Sequence, residues 1–76
     1  MFNRPVKYTV VYITYGEINA IRFRRLLTDT EAVIVDVFRG SDPAYAFVVR
    51  GGKDTHDLIE ALFEKRELEV KPMFKQ

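Results

Sequence analysis

Residues 16–27, GEINAIRFRRLL, decide how the rest of the chain is put together. Read as a strand, Ile21 and Phe23 alternate with Arg22 and Arg24, and Gly16-Glu17 makes a turn back along the preceding segment. Read as a helix, Ala20, Phe23 and Leu27 share one face, but Arg22 and Arg25 interrupt its continuation from Ile18. The strand reading gives a hairpin and is the expectation adopted. The helical reading gives the order strand, helix, strand, strand, helix, strand, the ferredoxin-like βαββαβ arrangement.

Before this stretch, residues 6–15 (VKYTVVYITY) consist almost wholly of strand formers. Their alternate residues make two rows, Val6–Tyr8–Val10–Tyr12–Thr14 and Lys7–Thr9–Val11–Ile13–Tyr15. Neither row is polar, so the strand is expected to be central and covered, at least partly, on both sides. After it, Thr28 and Glu31 have capping-box spacing, which would start a helix. The β-branched run Val33, Ile34, Val35 and Val37 argues instead for a strand over 32–38. Residues 44–49 (AYAFVV) read as its hairpin partner across Gly40-Ser41-Asp42-Pro43.

Residues 55–67 are expected to form a helix. Asp54 or Thr55 can cap it, and Leu58, Ile59, Leu62 and Phe63 form its apolar stripe. Leu68 and Val70 then alternate with charged residues, as in a short edge strand, and 71–76 are a candidate loose tail. The expected fold is a single α+β domain over 1–76: two layers, an antiparallel sheet of about four strands, and the C-terminal amphipathic helix packed on one face.

Composition narrows the function. The 76 residues carry 12 Lys and Arg against 11 Asp and Glu, 47% hydrophobic residues and no cysteine. This is the balance of a soluble globular domain without a membrane span, a disulfide framework or a thiolate metal site. A cytoplasmic location is compatible with it. Basic residues concentrate early, with Arg4, Lys7, Arg22, Arg24 and Arg25 against Glu17 alone in the first 25 positions. That distribution makes either a two-signed soluble surface or a basic patch for an anionic partner.

Chemistry has little to work with. Gly52-Lys53 resembles the end of a phosphate loop, but Phe47 stands at the required glycine and Asp54 replaces Ser or Thr. His56 and Glu60 lie one helical turn apart and could share an ion, yet two ligands make a weak site. A solvated helix face accounts for the same residues. Asp36, alone among apolar neighbours, is expected to point outward. Ser41, the one serine, lies in a turn with no base nearby. No catalytic residue, metal or cofactor is assigned, and the chain is expected not to be an enzyme.

Tyr45-Ala46-Phe47-Val48-Val49 is similar to the main signature of the RNA-recognition motif, and Val11-Tyr12-Ile13 to that family's strand-one signature. The resemblance implies base stacking on Tyr12, Tyr45 and Phe47. Pro43 and Ala44 stand where that signature has a basic residue and glycine, and Arg50 replaces its closing aromatic. The family is therefore not adopted, and single-stranded RNA binding is kept as the alternative function. The leading expectation is a small protein-interaction module that binds a protein partner or itself as a homodimer. Its contact residues are expected to be Tyr8, Tyr12, Tyr45 and Phe47 on a sheet face, with Arg22, Arg24 and Arg25 on a neighbouring strand.

Overall fold

The computed structural model describes residues 6–40 and 43–75. Its elements run β1 (Lys7–Tyr15), α1 (Glu17–Thr28), β2 (Val33–Arg39), β3 (Ala44–Gly52), α2 (Lys53–Lys65) and β4 (Val70–Lys75). All four strands pair antiparallel in the order β2-β3-β1-β4. The expected α+β class, four-stranded antiparallel sheet and helix packed on it are present. The element order is that of the split βαβ, ferredoxin-like topology.

The expected hairpin over residues 16–27 is corrected: these residues are helix α1. The chain turns at Gly16, whose φ of 87° and ψ of 148° are open essentially to glycine alone. Its amide donates to the Pro43 carbonyl at 2.6 Å, tying the corner to β3. Ala20, Phe23, Leu26 and Leu27 form the buried stripe. Ile18 and Ile21 stay exposed together with Arg22 and Arg25, so the arginines interrupt nothing in the buried stripe. Apart from Gly16, the stretch is rich in good helix formers, including alanine, leucine, arginine and glutamate.

Helix α2 starts two residues earlier than expected, at Lys53, and its N-cap residue is Gly52 with no side-chain cap. It ends in a Schellman motif. Glu67 adopts a left-handed φ of 56°, its amide donates to Glu64 O, and the Leu68 amide donates to Phe63 O at 2.8 Å. That turn buries Leu68, and the last strand follows at Val70. Residues 71–75, a candidate tail in the sequence, lie in β4 paired with β1; residue 76 falls outside the described residues.

Both helices pack on the same face of the sheet. Val10 and Tyr12 of β1 and Phe47 and Val49 of β3 meet Ala20, Phe23, Leu26 and Leu27 of α1 and Ile59 and Phe63 of α2. Phe23 lies at the centre, its ring 5.3 Å from Tyr12 and 5.2 Å from Phe47. Hydrophobic burial of these side chains, about 1.5–3 kcal/mol each when complete, holds the layers together.

Candidate functional site: the open face of the sheet

Strand geometry sends alternate residues to opposite faces. With Val10, Tyr12, Thr14, Tyr45, Phe47 and Val49 turned toward the helices, Thr9, Val11, Ile13 and Tyr15 of β1 point the other way. So do Ala44, Ala46, Val48 and Arg50 of β3. The register sets these residues side by side as Thr9–Arg50, Val11–Val48, Ile13–Ala46 and Tyr15–Ala44. Strand β2 adds Val33 opposite Arg50, Asp36 opposite Val48 and Phe38 opposite Ala46, and β4 adds Lys71 opposite Ile13. No helix of the described residues lies over this face. Val11, Ile13, Ala46 and Val48 are only half-buried, shaded by their lateral neighbours, while Tyr15, Val33 and Phe38 are more than half exposed.

The seven residues expected to bind a partner are placed elsewhere. Tyr12 and Phe47 are buried to 1% and 2% exposure beneath the helices, where no stacking base or partner side chain can reach them. This placement corrects their assignment to a contact face. Tyr45 belongs to the helix-side row, half-buried, with the Arg39 guanidinium 5.6 Å above its ring. Tyr8 is half-buried and packs on His56, ring centroids 4.7 Å apart. Arg22, Arg24 and Arg25 are exposed, on α1 and not on a strand. Arg22 Nη2 donates to Arg66 O at 3.3 Å, and Arg24 borders a shallow groove with Glu17, Ala20, Ile21, Val37, Tyr45 and Phe47. Thus Arg24, Tyr45 and the margin of Phe47 come together at that groove, Tyr8 and Tyr12 come together at His56, and none of the seven lies on the open face.

His56 was expected on a solvated helix face, and this too is corrected. It is 3% exposed and forms the first turn of α2's buried stripe. Its Nε2–H donates to the Tyr8 carbonyl at 3.1 Å, which leaves Nδ1 to accept from the Tyr12 hydroxyl at 2.6 Å. Both ring nitrogens are occupied. Burial, followed by the nearby Glu60 carboxylate, pushes the Tyr12 hydroxyl well above its usual titration range. Among the described residues no group of three or more His, Asp or Glu side chains is arranged to hold a metal.

Both sheet edges are blunted. The register of β2 shifts between Ile34 and Asp36, and the exposed Asp36 carboxylate takes the Val37 amide at 2.8 Å. Its outward position is the one expected. Strand β4 carries Pro72 and a register shift opposite Val11 and Tyr12. Bulges, a charge and a proline all discourage strand addition at an edge, which leaves the face, apolar at its centre and bordered by Asp36, Arg50 and Lys71, as the accessible surface of the sheet.

The residues that build this face were missed as a site in the sequence. Their signal was the second apolar row of residues 6–15, but its orientation depends on where the helices land. No known protein family, curated protein or solved structure matches the chain. No helix among the described residues is long and apolar enough to cross a membrane.

Proposed function

We propose that the chain is a small, non-enzymatic protein-interaction module whose working surface is the open face of the sheet. The observation that carries this reading is the apolar centre Val11, Ile13, Ala46 and Val48, on a side of the sheet that neither helix covers. An uncovered sheet face of this composition is stabilised by a second protein surface laid upon it, because burial removes its aliphatic side chains from water. The lone histidine supports a non-enzymatic role, since its hydrogen bonds are both made inside the core. A cysteine-free chain suits the reducing cytoplasm. Single-stranded RNA binding gains no support from the aromatic placement, since Tyr12 and Phe47 pack against Phe23.

Native size in nuclease-treated extract of the producing cells tests this reading. Wild-type chain is expected to migrate as a complex larger than the 8.9 kDa monomer. Val48→Lys, which charges the open face without touching the core, is expected to migrate free. Identical free-monomer profiles for both would overturn the proposal.

A further inference from the structure

The open face has a relief that fits itself. Its β1 column presents the larger side chains Ile13 and Tyr15, and directly beside them the β3 column presents only Ala46 and Ala44. Phe38 of β2 rises on the far side of Ala46. At this end of the face Ile13 and Tyr15 of β1 therefore stand as a ridge beside a trough at Ala46 and Ala44 of β3, while Val11 and Val48 further along are level; the boundary between the two columns is the midline of the four-stranded sheet.

Resting on the reading above, we infer that the occupant of this face is a second copy of the chain, packed sheet to sheet about a two-fold axis running along the strands between β1 and β3. Such an axis exchanges the two columns. Ile13 enters the trough at the partner's Ala46, Tyr15 lies over the partner's Ala44, and each contact is returned, as a closed two-fold interface requires. Reading outward along the same row, Phe38 lies over the partner's Lys71, whose stem and ammonium suit an aromatic face. Arg50 lies over the partner's Thr9 and Asp36 stays at the rim on edge strand β2, so no like charges are brought together. A two-fold axis across the strands at the level of Ala44 and Ala46 would instead set alanine against alanine. The space left between them would forfeit dispersion contacts.

Size is sufficient. Four strands spaced about 4.8 Å and averaging about eight residues at roughly 3.3 Å each give a flat footprint of about 500 Å². Side-chain relief raises the accessible area above that, so two copies bury on the order of 1,200 Å², the lower bound of specific interfaces. The chain's formal charge of +1 leaves little repulsion between copies.

Sedimentation equilibrium of the purified full chain, with paired substitutions, tests the geometry. Wild type is expected to be a dimer in the micromolar range. Ile13→Ala, which opens a hole, and Ala46→Ile, which fills the trough, are each expected to weaken it about tenfold or more. The double variant Ile13→Ala/Ala46→Ile restores large against small and is expected to regain dimer strength within about threefold of wild type. All four keep the monomer fold, checked by circular dichroism. The absence of native cysteine allows a second readout: oxidised mixtures of Ile13→Cys and Ala46→Cys chains should yield mainly the mixed 13–46 disulfide.

A dimer with rescue and mixed cross-links supports the inference. A dimer without rescue, or one cross-linking 46 to 46, overturns the axis. A wild-type monomer at every concentration overturns self-association. The broader reading would then stand or fall separately on the native-extract comparison of wild type and Val48→Lys.

Discussion

The Tyr12 hydroxyl and His56 Nδ1 share a 2.6 Å hydrogen bond across the interface of β1 and α2, with both residues almost wholly removed from solvent. It fixes the histidine tautomer, because the opposite ring nitrogen donates to the Tyr8 carbonyl. The bond also gives a polar partner to the one histidine that the apolar stripe of α2 carries inside.

Tyr12→Phe keeps the ring packing on Phe23 but leaves His56 Nδ1 buried without a donor. A loss of about 1–3 kcal/mol is expected in urea unfolding.

The same burial makes stability depend on alkaline pH. The Tyr12 hydroxyl keeps its proton in the folded chain well above the value of 10.0 at which the unfolded residue ionises. Its contribution is therefore complete below pH 10.0 and falls as the pH rises further, because only the unfolded chain can release the proton. Urea midpoints measured from pH 8 upward should decline beyond about pH 10 in wild type, and less steeply in Tyr12→Phe.

Thr14 is fully buried opposite Val70, and its hydroxyl finds no hydrogen-bond partner among the described residues. Replacing it with the near-isosteric valine removes an unpaired polar group from the core. Thr14→Val is expected to raise stability by about 1 kcal/mol, read as a higher urea midpoint with an unchanged slope.

Glu67 holds the left-handed position of the α2 Schellman turn, which glycine occupies without a Cβ penalty. Glu67→Gly is expected to stabilise the chain by about 1 kcal/mol in thermal unfolding.

Phe47→Ala separates core from contact surface. A residue at 2% exposure between Phe23 and the sheet should cost about 3–5 kcal/mol on truncation. That is comparable with the whole stability of a small domain. Circular dichroism should show partial or complete unfolding, whereas Val48→Lys on the opposite face should leave the spectrum unchanged.

Much of the fold was legible in local chemistry. The strand character of residues 6–15, the β-branched run 33–37 and the turn chemistry of 40–43 point to β1 and the β2–β3 pair, and the stripe Leu58, Ile59, Leu62 and Phe63 points to α2, although Leu58 is exposed and His56 joins the buried stripe. Helix α1 was not legible because Ile18 and Ile21 blur its stripe. Its true stripe, Ala20, Phe23, Leu26 and Leu27, is set by the sheet it lands on. A strand in place of α1 leaves one helix to cover the sheet, and the tyrosine and phenylalanine row then reads as a surface. That two helices share one side of the sheet also hides which row of β1 is buried. His56 was misplaced for a related reason: a polar residue in the first turn reads as solvated unless its partners, Tyr8 and Tyr12 on a distant strand, are known.

The central claim is that the chain's own helices shelter one face of the sheet and leave the other, apolar at its centre, bare. Methyl NMR with a soluble paramagnetic probe, in a sample dilute enough to be monomeric, tests it directly. The account predicts strong broadening at Val11, Ile13 and Val48 and little at Val10 and Val49. Equal protection of both sets in the monomer would contradict it.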